Sequence, residues 1–191
     1  MNTNIKQTAH SHFRGAFVAV ASVITFASLG GCATASPKLQ EYEAAEKLAT
    51  DHLAKFDTLD FDFFTNQKWD GFHQSHSDDI KVYWPDGHMT TGFDKHIEDL
   101  KAMFVYAPDT RIHEHPVKFA SGGEWTSVIG VMEGTFTKPM PIGEGKTIPP
   151  TNKAFKITMC TVGHWTKAGV MDVEYLFWDN ATYMKQLGLG Q

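Results

Sequence analysis

Ten histidines and 22 acidic residues are spread over 191 residues, and a few fall at spacings that could serve a reacting molecule. Asp179 follows the apolar run Tyr175-Leu176-Phe177-Trp178. A carboxyl in a poorly solvated mouth there would have a raised pKa and act as acid or base near neutral pH. An Asp or Asn just before a helix is equally the expected N-cap, a role open to Asp179 or Asn180. His113 and His115 lie two apart on an expected strand, so both point to one face while Glu114 points to the other. His73 and His76, three apart near a helix end, approach from the lid side, and His164 lies on another strand. Imidazole titrates nearest neutral pH, so any pair facing a cavity can relay protons to a carbonyl or hydroxyl. The His-x-His and His-x-x-His spacings would also suit zinc or iron. They are weakly specific and no fixed ligand partner accompanies them, so no metal or other cofactor is expected.

Among the remaining acids, Glu133 stands between apolar neighbours, and Asp172 and Glu174 alternate with Val173 and Tyr175. Strand parity puts Asp172 and Glu174 on a face not shared by Asp179 unless a bulge intervenes, which favours solvent for both. A buried Glu133 or Glu174 is the rival acid or base. Trp84, Trp178 and Phe136 are candidates to stack on a flat ligand, with Trp125 and Trp165 more readily assigned to packing. Cys160, within FKITMCTVGHW, reads as a small buried hydrophobe rather than a nucleophile. The Gly-x-Gly of PMPIGEGKTIPP opens no helix, so a phosphate cradle is not supported.

The elements that must position these residues are legible from periodicity. Apolar residues at Leu39, Tyr42, Ala45, Leu48, Ala49, Leu53 and Phe56 predict an amphipathic helix, followed by a second short helix that begins over Asp60 to Phe64 and runs on from Asn66 through Phe72. Ile80 to Trp84 alternates and stops at Pro85-Asp86-Gly87, a hairpin turn. Phe93 to Tyr106 has helical spacing and is closed by Ala107-Pro108. Strands are then expected at 111–120, 125–137, 154–165 and 170–178, as a meander of long antiparallel strands, before a last helix from Asn180 to Leu189. Helices first and a curved antiparallel sheet afterwards make an α+β domain, whose bent sheet would enclose a cone-shaped apolar cavity.

The N-terminus reads differently. Met1 to Arg14 carries Lys6 and Arg14 without an acid, and GAFVAVASVITFASL follows as an apolar run of signal-peptide length. Leu29-Gly30-Gly31-Cys32 resembles the lipobox of bacterial lipoproteins, which makes residues 1–31 a lipoprotein signal peptide and Cys32 the lipidated residue. Cleavage near Ala33 or Ala35 is the plainer alternative. A short tether, 32–39, would then precede one domain, 40–191. Membrane attachment would be through the N-terminal lipid only, on the outer membrane facing the periplasm. With Cys32 lipidated, Cys160 has no disulfide partner. The net charge of −5, more negative still without Lys6 and Arg14, argues against nucleic-acid binding through phosphates.

From about Tyr42 to Leu189 the chain resembles the SnoaL-like polyketide cyclase and ester cyclase family of the NTF2-like, or cystatin-like cone, superfamily. The resemblance rests on Trp69, on His76-Ser77-Asp78-Asp79 leading to Val82-Tyr83-Trp84-Pro85-Asp86-Gly87, on Thr91-Gly92, and on Phe177-Trp178-Asp179-Asn180 running into Tyr183-Met184-Lys185-Gln186-Leu187-Gly188. It implies an aspartate at the end of the last strand as general acid/base, a position matched by Asp179; from the residues themselves, His115 or His76 would help by polarising the substrate or shuttling the proton. The ligand set is then Trp84, Trp178, His73, His113 and Phe136 around a small apolar or aromatic carbonyl compound. The reaction class is cyclisation, isomerisation or dehydration. A periplasmic lipoprotein that binds or carries a lipophilic ligand without catalysis is the alternative, and a homodimer formed by pairing of sheets is a further expectation.

Overall fold

The computed structural model describes residues 36–190; the leader, the lipobox and Cys32 lie outside the described residues. Helix α1, Pro37–Thr58, is started by the Ser36 side chain, which accepts from the Leu39 amide, and by proline in its first turn. It begins inside the stretch expected to be a tether. Only His52 and Phe56, one turn apart, are buried on α1, while Leu39, Tyr42 and Leu48 are exposed. The apolar stripe of its first half therefore does not meet the core.

The helix then widens into a π-helical turn, Leu59–Phe64, and a 3₁₀ helix, Trp69–Gln74, replaces the helix expected over 66–72. Strand β1 (His76–Tyr83) turns at Gly87 into β2 (Met89–Thr91), and α2 (Phe93–Tyr106) spans the predicted residues. The strand expected over 111–120 is two, β3 (Arg111–Ile112) and β4 (Val117–Ser121), because Pro116 has no amide to give the ladder. Next come β5 (Trp125–Thr135), a small hairpin of β6 (Met140–Pro141) and β7 (Thr147–Ile148), β8 (Ala154–Trp165), β9 (Met171–Trp178) and α3 (Asn180–Gln186).

The seven-stranded sheet runs β2-β1-β9-β8-β5-β3, with β4 also on β5. It is antiparallel except where β1 lies parallel to β9, so it is not a pure meander. The helices cover one face, and Phe56, Phe104, Phe136, Ile80 and Val82 pack beneath them.

The first half of the chain is anchored to the sheet by a few contacts. Trp165 stacks on His52 with ring centroids 4.2 Å apart, and Lys55 donates to the Gly169 carbonyl at 2.5 Å. Gly123 closes the β4–β5 turn at φ +77, and a Cβ there would meet the Leu48 Cβ at 2.8 Å. Gly123→Ala is therefore expected to cost about 2–4 kcal/mol, from left-handed backbone strain plus overpacking, read as a lower urea midpoint at unchanged slope.

Candidate active site

A cavity of about 40 Å³ lies between the helices and the concave face of the sheet. Its wall is mostly apolar, with Leu100, Met132, Met159 and Leu176 typical of it, and the polar side chains on it are Asp60, His76, His96, Thr161 and Glu174. Trp84 and Trp178 also line it, both half-buried and edge to face at 6.4 Å. Each indole is tied at the rim, Trp84 Nε1 to Thr90 Oγ1 at 3.0 Å and Trp178 Nε1 to Asn180 Oδ1 at 2.6 Å. Such a volume holds a few water molecules or a carbonyl group, whereas drug-sized ligands take roughly 300 Å³ or more. A larger ligand must displace the tryptophan rim.

Asp60 reaches the cavity because of the π-helical turn. There the Thr65 amide bonds the Asp60 carbonyl five residues back at 3.2 Å, and Thr65 Oγ1 accepts from the Ile112 amide at 3.0 Å, fixing the turn to β3. Asp62 from the same turn faces solvent and pairs with Lys68. The Asp60 side chain is 14% exposed, and His115 stands behind it. His115 Nε2 lies 2.8 Å from Asp60 Oδ2, and its Nδ1 lies 2.8 Å from Asp57 Oδ1. Asp57 in turn pairs with Lys118.

Burial pushes the Asp60 carboxyl up, against the pull of His115. Burial likewise opposes ionisation of Asp57, yet Lys118 and His115 hold it below the usual carboxylate range. For His115, burial is outweighed by the two carboxylates, which raise its pKa. A histidine whose folded-state pKa is raised contributes stability that is complete below its unfolded value of about 6.5 and is lost as pH rises through the folded value. His115→Gln is accordingly expected to melt closer and closer to the native protein as pH is taken from about 6 to 9. A constant gap across that range would show that His115 is not charged in the fold.

The second polar group on the wall comes from three elements. His76 opens β1, His96 sits on the buried stripe of α2, and Glu174 projects from β9. Glu174 is only 4% exposed. Its Oε2 lies 3.4 Å from His96 Nε2 and 3.9 Å from His76 Nε2, and among the described residues no hydrogen bond satisfies Oε2 or His76 Nε2. His76 Nδ1 is 3.0 Å from Ser75 Oγ, whose hydroxyl donates to the Phe72 carbonyl at 3.2 Å. Nδ1 therefore carries the proton, and Nε2 presents a bare lone pair. Burial lowers the His76 pKa to about 4 and that of His96 well below the ordinary value, His76 adding to the latter. Burial, with the nearby charge of Asp60, pushes Glu174 up to about 8.

The structure separates the residues singled out by sequence. His76, Trp84 and Trp178 line the cavity. His115 does not, and acts on it only through Asp60. Asp179 is not in a desolvated mouth: it is exposed and caps α3, accepting from the Thr182 amide at 3.0 Å and from the Thr182 hydroxyl at 2.6 Å. Those bonds lower its pKa, the reverse of the expected shift. His113 is exposed near Glu133 rather than beside His115, since residues 113–116 leave the strand and parity no longer applies. His73 is exposed and stacks on Phe93, and Phe136 is wholly buried in the core away from the cavity wall. Glu133 pairs with Arg111 at the surface.

Glu174 faces inward because β9 bulges at Asp172: Trp165 pairs with Met171 and His164 with Val173. Alternation from buried Met171 would have sent Glu174 outward; the extra residue reverses the phase. His96 was missed, although its place three residues after Phe93 and four before Leu100 puts it on the apolar stripe of α2.

The model of the SnoaL-like polyketide cyclase family matches residues 57–187, the span that supplies every side chain on the cavity wall. The chain belongs to that family. None of the curated proteins matches it. Among solved structures, a protein from Jannaschia sp. CCS1 described as a SnoaL-like polyketide cyclase superposes with a TM-score of 0.64 at 14% identity, over 75% of this chain and 96% of its own. IdmH of Streptomyces antibioticus, described as a polyketide cyclase, gives 0.58 at 18% identity, over 73% and 97%. AclR of Streptomyces galilaeus, described as a hydroxylase, gives 0.56 at 13%, over 78% and 87%. At these identities the likeness establishes the α+β cone of this SnoaL-like chain, and its chemistry has to be argued from its own residues.

Proposed function

We propose that this SnoaL-like domain binds a small apolar or aromatic carbonyl compound in its cone and moves a proton at the carbon next to the carbonyl. One observation carries this reading. One apolar cavity carries a carboxyl group backed by a histidine and, where β1, α2 and β9 meet, a cluster of buried polar atoms without hydrogen-bond partners among the described residues. Asp60 is the base: its carboxylate takes the proton, and the carbon–hydrogen electron pair moves onto the carbonyl oxygen as an enolate. Return of the proton to another atom isomerises the compound, while attack of the enolate on a second carbonyl closes a ring. His115, held by Asp57, positions Asp60 and offsets its charge, so it is a positioning residue. The oxygen docks beside the Glu174 carboxyl, which burial holds in its protonated, hydrogen-bond-donating form near neutral pH, so charge developing on the oxygen meets a donor already fixed in place. Trp84 and Trp178 cover the flat part of the ligand.

Export and lipidation at Cys32 belong to the same reading and are supported by the lipobox; labelling with a fatty acid that Cys32→Ser abolishes would test them. The reaction is tested by a thermal-shift screen of the full chain against aromatic ketones and esters, with conversion of each hit followed by mass spectrometry. A compound that stabilises the chain and is converted supports the enzyme. Compounds that stabilise it without conversion would make it a carrier.

A further inference from the structure

We propose that His76, His96 and Glu174 form a three-ligand site for a divalent transition-metal ion of the zinc type, with the fourth coordination position open to the cavity. The ligand atoms, one from each residue, all lie within 4.8 Å of one another. A tetrahedral ion with donors about 2.0–2.1 Å away holds those donors about 3.4 Å apart. The His96–Glu174 separation is already 3.4 Å and the His76–Glu174 separation 3.9 Å, with the His76 and His96 donors within 4.8 Å of each other, so the site closes on an ion by side-chain shifts of about 1 Å or less at each ligand rather than by refolding. All three side chains are buried, and among the described residues Glu174 Oε2 and His76 Nε2 have no hydrogen-bond partner, an expensive condition that a cation relieves at once. The surroundings are also those of a ligand set. His76 is oriented through Nδ1 by Ser75, which in turn bonds Phe72, leaving Nε2 to the ion.

Two histidines and one carboxylate with an open position are the ligand set of catalytic zinc sites that polarise a carbonyl or carry a water molecule. This sharpens the proposed function, because the ion would be the group that receives the carbonyl oxygen, but the site stands whether or not Asp60 moves a proton. It departs from the expectation of a metal-free domain, which weighed His73, His76, His113 and His115; of these only His76 reaches the cavity.

The test uses the full chain after chelator treatment, titrated with Zn²⁺ by calorimetry and with Co²⁺ by absorption. One tightly held ion per chain is expected, with Co²⁺ giving the intense visible bands of a four- or five-coordinate site. Glu174→Gln and His96→Asn should each weaken binding more than about 100-fold, and Ser75→Ala about 10-fold. Asp60→Asn should leave the stoichiometry unchanged, so a failed metal site and a failed proton transfer are told apart. Binding that survives Glu174→Gln and His96→Asn would place the ion on exposed histidines and overturn the proposal. So would a weak, six-coordinate Co²⁺ spectrum of the native chain, a readout that needs no variant to fold.

Discussion

Replacing Asp60 by Asn is expected to reduce turnover of a converted ligand by about 10²–10⁴-fold while leaving its binding within a few-fold. Asparagine has the shape of the carboxylate and keeps an oxygen for His115, so the cavity wall is preserved; what it loses is the ability to accept a proton. The same exchange at Asp179 is the internal control. Asp179 is exposed and its observed bonds are those of a helix cap, a role that Asn fills as well as Asp, so Asp179→Asn is expected to change neither stability nor turnover appreciably. Steady-state kinetics on the two variants decides between the carboxyl that sequence favours and the one that the cavity contains. Full activity in Asp60→Asn would remove the base from the proposed reaction.

Trp165→Ala is expected to cost about 3–5 kcal/mol, the range for truncating a large buried aromatic. The indole is 2% exposed, lies against His52 and edge-on to Phe56, and donates to Thr126 Oγ1 at 2.8 Å. His52 and Phe56 are the two buried residues of α1, so this one side chain provides much of what holds the helix to the sheet. Against a typical domain stability of about 5–15 kcal/mol the loss is severe. Its consequence reaches the cavity, because α1 carries Asp57 and leads directly into the turn that presents Asp60. Urea unfolding should show a lower midpoint with an unchanged slope. A cost below about 1 kcal/mol would show that α1 is held elsewhere.

The contrast between Asp60 and Asp179 explains how much of the site could be read in advance. Both are aspartates beside aromatic residues, and in sequence Asp179 is the more prominent because it follows a strand and precedes a helix. That same location gives it solvent and two bonds from Thr182, whereas Asp60 is carried inward by a single π-helical turn that no residue pattern announces. Glu174 was set aside by parity counted from Asp179, and that count holds: Glu174, Leu176 and Trp178 share the cavity face, and it is Asp179 that points to solvent. His113 and His115 were paired by strand parity over residues 113–116, where the strand is interrupted. His76, Trp84 and Trp178, singled out in the sequence, lie on the cavity wall, since each adjoins a segment whose turn and strand are locally encoded.

By itself the sequence determined the order of the elements, the span of α2, the strands at 125–135 and 154–165, the hairpin at Gly87, the α+β class and the family. These follow from hydrophobic period and turn chemistry, which act within a few residues of where they are written. Tertiary structure decided the parallel pairing of β1 with β9, the bulge at Asp172, the meeting of His76, His96 and Glu174, and the backing of Asp60 by His115, 55 positions away. Each depends on which long-range neighbour a residue acquires, and bulges and widened helical turns shift side-chain phase by one residue at little local cost. A one-residue shift is enough to turn a solvent-facing glutamate into the innermost carboxyl of the cavity.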